Sequence, residues 1–195
     1  MRAALGLGLG IGVLALAGAA LAQDAEAGRK VAGLCRTCHG LDGIAVMPVA
    51  PNIGRESAGY LAPQLAAFQS GARENEMMTV VARGLSERQV ADVTAWYAGQ
   101  PAVAAPPAGF DPAAAPEVCA SCHGPDGIAV IPEAPNLAGE NTIYLDTQLK
   151  AFRSGKRASD MMTPVAAELD DAAIRAAAER YAAIGLKPAG QPQAG

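Results

Sequence analysis

The pattern that most constrains this chain is Cys35-Arg36-Thr37-Cys38-His39, which returns as Cys119-Ala120-Ser121-Cys122-His123. Two thiols one helical turn apart can each bond a vinyl group of one porphyrin, while the imidazole that follows reaches the iron. The two runs use all four cysteines and both histidines of the sequence. A structural zinc site would need further Cys or His ligands, and none remain; a dithiol redox pair gives no reason for a histidine to follow it twice. Two covalently bound haem c groups are therefore expected, one held by Cys35 and Cys38 and one by Cys119 and Cys122. His39 and His123 would each fill one axial position of an iron.

The rest of the sequence repeats in the same register. Asp42-Gly43-Ile44-Ala45-Val46 aligns with Asp126-Gly127-Ile128-Ala129-Val130, Ala50-Pro51-Asn52 with Ala134-Pro135-Asn136, and Met77-Met78-Thr79 with Met161-Met162-Thr163. Two copies of one domain, 23–98 and 113–187, follow from this, with a flexible tail at 188–195. Between the copies, residues 99–112 hold four prolines among Gly and Ala, a composition that resists helix and favours an extended connection.

Periodicity within each copy is helical. Leu61, Leu65 and Phe68 fall at i, i+4 and i+7 behind a capping Ser57, and Leu145, Leu149 and Phe152 repeat the stripe. Asp24 is placed to cap a first helix running into the Cys35 motif, whereas Pro112 and Pro116 curtail its counterpart. Ser86 with Gln89 carries a capping-box signature for a last helix presenting Val90, Val93 and Tyr97. Neither copy reads as a run of strands. The expected fold class is all-α, a few helices around one haem in each of two tandem domains.

Residues 1–22 begin Met1-Arg2, continue as an apolar stretch and end Ala20-Leu21-Ala22, the form of a secretory signal peptide cut after Ala22. The expected location is the bacterial periplasm, with an inner-membrane anchor if the leader is retained. Without those residues the chain carries 14 basic against 19 acidic side chains. Such an acidic chain without basic runs is unsuited to nucleic acid. Aromatic content of 4% is thin for two small cores, and buried porphyrin would supply the missing apolar bulk.

With no third histidine, bis-histidine ligation within the chain is excluded, and methionine is the remaining conventional ligand for the sixth position. Met47 has Ile131 at its repeat position and reads as packing. The pairs Met77–Met78 and Met161–Met162 recur at the register of the haem motifs, and one member of each is the expected ligand.

Behind a signal peptide stand two units, each with Cys-x-x-Cys-His, a downstream Pro-Asn, a Tyr-x-x-x-Gln-Leu-x-x-Phe helix, a Gly-x-Arg turn and a Met before the last helix. Over residues 24–186 the chain resembles dihaem cytochromes of the c4 type, two class I cytochrome c domains in tandem. In that family the ligand Met lies eight residues before the polar residue that opens the final helix. Here Ser86 and Asp170 hold that place, so the resemblance selects Met78 and Met162. It also implies that Pro51 and Pro135 accept hydrogen bonds from the ligand imidazoles, and that Arg73 and Arg157 neutralise haem propionates. Tyr60 and Tyr144 would assist there or simply pack. The second copy has Arg180 where the first has Trp96, so the two haem pockets should be inequivalent.

The expected function is a single-electron carrier and not an enzyme. By the resemblance, its partners are a quinol-oxidising complex or dehydrogenase as donor and a terminal oxidase as acceptor. The membrane is reached only through those partners or an uncleaved leader. The alternatives are a cytochrome subunit of a periplasmic flavoprotein sulfide dehydrogenase or alcohol dehydrogenase, and a dihaem peroxidase. A peroxidase needs an open iron position, which one placed methionine pair per haem argues against.

Overall fold

The computed structural model describes residues 23–189; the expected leader at 1–22 and residues 190–195 of the expected tail lie outside the described residues. Helix α1 (Ala25–Ala32) begins at Asp24, whose Oδ1 accepts from the N–H groups of Glu26 and Ala27 at 3.0 and 3.1 Å. It ends at Gly33, and α2 (Arg36–His39) carries the first motif as a separate turn. The expected single helix is thus two.

Helix α3 (Ala58–Ser70) is capped by Ser57 and stops at Gly71, whose φ of 83° suits only the residue without a Cβ. It is followed by α4 (Glu76–Arg83), capped by Asn75, and α5 (Glu87–Ala98), which opens with the capping box of Ser86 and Gln89. Leu61 of α3 and Val93 and Tyr97 of α5 close a core around Ala32 of α1.

Helices α1 and α5 cross at Gly28. A Cβ there would fall 1.9 Å from the Asp92 carbonyl oxygen, so the backbones touch only because the side chain is missing. Gly28→Ala is expected to destabilise the first domain by at least about 1–3 kcal/mol, the usual cost of overpacking. Thermal unfolding of the two domains, followed at their separate haem absorbances, should show the loss in the first domain alone.

In the second copy Pro112 stands at the register of Gly28, and no long helix forms. A 3-10 turn at Pro112–Ala114 leads into α6 (Glu117–His123), followed by α7 (Thr142–Arg153), α8 (Met162–Ala167) and α9 (Asp171–Ala182). Part of the vacated space is taken by Phe110, whose ring centroid lies 4.6 Å from the Arg180 guanidinium carbon. Where Trp96 Nε1 donates to the Leu41 carbonyl at 2.9 Å, Arg180 Nη2 donates to the Asp111 carbonyl at 2.8 Å. The two copies therefore differ at the place the sequence singles out.

Strand is the main departure from the sequence reading. Strand β1 (Ala102–Ala105) lies inside the expected open connection and pairs antiparallel with β2 (Gly185–Pro188), Ala102 opposite Pro188 and Ala105 opposite Gly185. Ala104 and Phe110 pack on the second core, formed by Ala138, Leu145, Ala178, Tyr181 and Ile184. The connection is thereby fastened to the second copy. Pro188 belongs to β2 and the Ala189 N–H donates to the Pro101 carbonyl, so the chain is held through the first two residues of the expected tail.

Candidate haem-binding sites

Each Cys-x-x-Cys-His run is a short helix whose end is fixed from several sides. Gly40 and Gly124, directly after the histidines, adopt φ of 71° and 73°; a Cβ on Gly40 would lie 2.3 Å from the Ile44 carbonyl oxygen. The Val46 and Val130 N–H groups then return to the carbonyls of Cys38 and Cys122, both at 2.9 Å. From the last helix of each copy, Tyr97 donates its hydroxyl to the Gly40 carbonyl at 3.1 Å and Tyr181 to the Gly124 carbonyl at 3.4 Å. Sequence reading placed Tyr97 on an apolar stripe but gave no sign of this anchoring.

The histidines are buried, and their Nδ1 atoms lie 2.8 Å from the Pro51 and Pro135 carbonyl oxygens respectively. A carbonyl only accepts, so Nδ1 carries the hydrogen and the Nε2 lone pair is free for a metal. Burial pushes both imidazoles below their ordinary pKa, against the opposing pull of the proline carbonyls, which favours the neutral ring that can ligate. The prolines are in turn held by loops that Asn52 and Asn136 brace, accepting from the Ala45 and Ala129 N–H groups at 2.8 and 3.0 Å.

All four cysteines are half-buried free thiols. Burial pushes Cys35 and Cys119 up, away from the reactive thiolate of a redox dithiol. A pair of thiols on one turn followed by a buried, neutral imidazole with one free nitrogen is a donor set that fits haem c.

The methionines sit in the first turns of α4 and α8. Met77 and Met161 are 67% and 66% exposed, while Met78 and Met162 are half-buried. Their helix starts are built alike: Asn75 Oδ1 accepts from the Met78 N–H at 3.0 Å, and Ser159 Oγ from the Met162 N–H at 3.1 Å. Met47 is 41% exposed on the loop after the first motif.

Arg73 and Arg157 lie somewhere the sequence did not anticipate: each reaches the other copy. Arg73 donates to Gln64 Oε1 of its own copy at 2.7 Å, and to Gln148 Oε1 and the Tyr144 hydroxyl of the other at 2.9 and 3.2 Å. Arg157 mirrors it, reaching Gln148 at 2.7 Å, Gln64 at 2.7 Å and Tyr60 at 3.2 Å. The guanidinium carbons lie 4.6 and 4.4 Å from the ring centroids of Phe68 and Phe152. No carboxylate of the described residues is among their hydrogen-bond partners. Reciprocal bonds also run from Asn52 Nδ2 to the Gly139 carbonyl at 2.9 Å and from Asn136 Nδ2 to the Arg55 carbonyl at 3.3 Å. Such exchange of equivalent contacts is the signature of a local two-fold axis between the copies. Tyr60 and Tyr144 thus receive hydrogen bonds across this interface.

Comparison with known proteins agrees with this architecture. Residues 111–179 match the family model described as cytochrome c oxidase, cbb3-type, subunit III. Over 177 residues the chain is 35% identical to a protein of Stutzerimonas stutzeri named thiosulfate dehydrogenase electron acceptor, covering 80% of this chain and 82% of that one. It is 34% identical over 177 residues to a cytochrome c4 of Thiocapsa roseopersicina, covering 80% and 90% of the two chains. Among solved structures, reduced recombinant cytochrome c4 from Pseudomonas stutzeri superposes with a TM-score of 0.71 at 28% identity, over 84% of this chain and all of that one. Helical fold and paired motifs together define a dihaem c-type cytochrome with two class I domains, an electron carrier and not an enzyme. More particularly, the chain belongs to the cytochrome c4 family, and two covalently bound haem c groups are its cofactors.

Proposed function

We propose that this protein carries single electrons across the periplasm, with His39 and Met78 as axial ligands of the first iron and His123 and Met162 of the second. The observation that carries the reading is the matched pair of sites: in each copy the imidazole keeps only Nε2 for a metal, and of two adjacent methionines one turns inward. Each bound haem supplies one reversible ferrous–ferric couple. The chain's part is to tether it through Cys35 and Cys38 or Cys119 and Cys122, orient the imidazole through Pro51 or Pro135, and close the sixth position with thioether sulfur.

Arg73 and Arg157 are assigned to haem propionates at the interface. Two guanidinium groups sharing two amide oxygens repel each other, and a buried cation such as Arg157 is costly without a counterion, so the pair favours anions beside it. The units are 23–98 and 113–187 with 99–112 between them, and the leader is cut after Ala22. An intact mass equal to residues 23–195 plus two haems is the expected result, and a mass of 1–195 plus two haems would show the leader retained.

The donor is a periplasmic dehydrogenase or a quinol-oxidising complex, and the acceptor a terminal oxidase. The name of the Stutzerimonas relative, an electron acceptor of thiosulfate dehydrogenase, favours the dehydrogenase. Rapid mixing of the ferric protein with reduced thiosulfate dehydrogenase, and of the ferrous protein with a terminal oxidase, tests this. Reduction and reoxidation of both haems are expected; failure of either exchange, or turnover of peroxide, would contradict it. The same relative supports a second reading, a subunit bound permanently to its dehydrogenase. Co-migration with that enzyme through high salt would favour the subunit.

A further inference from the structure

Glu56 and Glu140 hold matching positions in the two copies and take part in none of the roles above. They are only 3% and 4% exposed, and Oε2 of each is buried without a hydrogen-bond partner. The two carboxyls oppose each other electrostatically, and no cation of the described residues is among the groups acting on them. Glu56 feels the backbone and side chain of Asn136, while Glu140 feels Glu56 and the backbone of Asn52 and Asn141. Arg55, next to Glu56 in sequence, donates to the Ala102 carbonyl at 2.8 Å, and Arg73 and Arg157 belong to the glutamine network. Burial raises Glu56 to about 8 and Glu140 well above its ordinary value.

Glu56 Oε1 accepts from the Asn136 N–H at 2.9 Å. That N–H belongs to the same peptide group as the Pro135 carbonyl, which receives the His123 Nδ1 hydrogen at 2.8 Å. A peptide is one conjugated unit, and hydrogen bonds in series polarise one another. We propose that Glu56 is a positioning residue for His123, acting across the boundary between the copies, so that a proton on this carboxyl is linked to the electron on the second haem. The inference rests on His123 being an axial ligand.

The sign follows from the relay. Ionised Glu56 draws on the Asn136 N–H, enriches the Pro135 oxygen, strengthens its hold on the Nδ1 hydrogen and makes Nε2 the stronger donor, which favours ferric iron. Protonation weakens each of these bonds in turn. Near its pKa, Glu56 therefore gains proton occupancy from solvent as the second site gains one electron from the redox donor, and oxidation reverses both.

The test is a redox titration of the holoprotein at a series of pH values through the Glu56 pKa of about 8, with the two haems resolved by their ferric NMR resonances. The second haem's potential should fall as pH rises. In Glu56→Gln, which keeps an oxygen for the Asn136 N–H, that dependence should vanish at the second haem. An unchanged dependence of the second haem in Glu56→Gln, with its low-spin His–Met signature intact, overturns the inference alone. Absence of that signature in the parent protein overturns the ligand assignment as well. Should Glu56→Gln fail to fold, redox-difference infrared spectra of the parent protein decide. A protonated-carboxyl stretch gained on reduction supports the link, and its absence refutes it.

Discussion

Met162→Ala is expected to turn the second site from a closed electron-transfer centre into an open one. The Met162 side chain is half-buried at the start of α8, while its neighbour Met161 is 66% exposed, so no other thioether is turned inward at that place. Without the sulfur, water or an added ligand takes the sixth position. Loss of a ligand that stabilises ferrous iron lowers the potential by a sizeable fraction of the range of about 0.8 V that axial ligation commands. The ferrous variant should bind carbon monoxide at one haem, and its long-wavelength ferric methionine–iron band should lose half its intensity. Met161→Ala should leave both unchanged. The fold should survive, because the substitution lies at a helix start where Ser159 still receives the backbone N–H. An unaltered spectrum in Met162→Ala together with a lost band in Met161→Ala would move the ligand by one residue.

Arg157→Ala should loosen the two domains from each other. Arg157 is 8% exposed and spends its guanidinium on Gln148 of its own copy and on Gln64 and Tyr60 of the other. Hydrogen bonds to a charged group contribute about 1.5–3 kcal/mol each, and Arg73 still reaches both amide oxygens in the variant, so a net loss of about 2–4 kcal/mol is expected. Because two of the three bonds cross between copies, the loss falls on the interface. Small-angle scattering should report a larger, more variable particle, and electron exchange between the haems should slow. Arg157→Lys should rescue little, since a single ammonium cannot span two amides as the planar fork does. Unchanged scattering and an unchanged unfolding midpoint in Arg157→Ala would show that the domains are held by other contacts.

What the sequence revealed, and what it hid, divides by the range of the interactions. Caps are local, and Asp24, Ser57, Ser86 with Gln89, and Asp170 stand where their spacing predicts. The curtailment of the first helix in the second copy was equally legible, because Pro112 and Pro116 act on their own backbone. The strand pair was not. Ala102–Ala105 and Gly185–Pro188 carry little strand propensity and meet only after the second domain has closed between them. The arginines show the same limit. The turn motif holding Arg73 gives no sign of its cross-copy partners, because Tyr144 and Gln148, which it reaches, lie 71 and 75 residues away in sequence. Glu56 gave no signal at all, since a loop carboxylate reads as solvated until its burial against Asn136 is seen.

The account stands on a methionine sulfur closing each iron, and the proton NMR spectrum of the fully reduced holoprotein, with methionine methyl groups selectively labelled, tests that most directly. A methyl held over a diamagnetic porphyrin is moved far upfield by the ring current. Two such methyl signals are predicted, one lost in Met78→Ala and the other in Met162→Ala, with Met47, Met77 and Met161 at ordinary positions. Fewer than two upfield methyls, or signals that survive both substitutions, would contradict it.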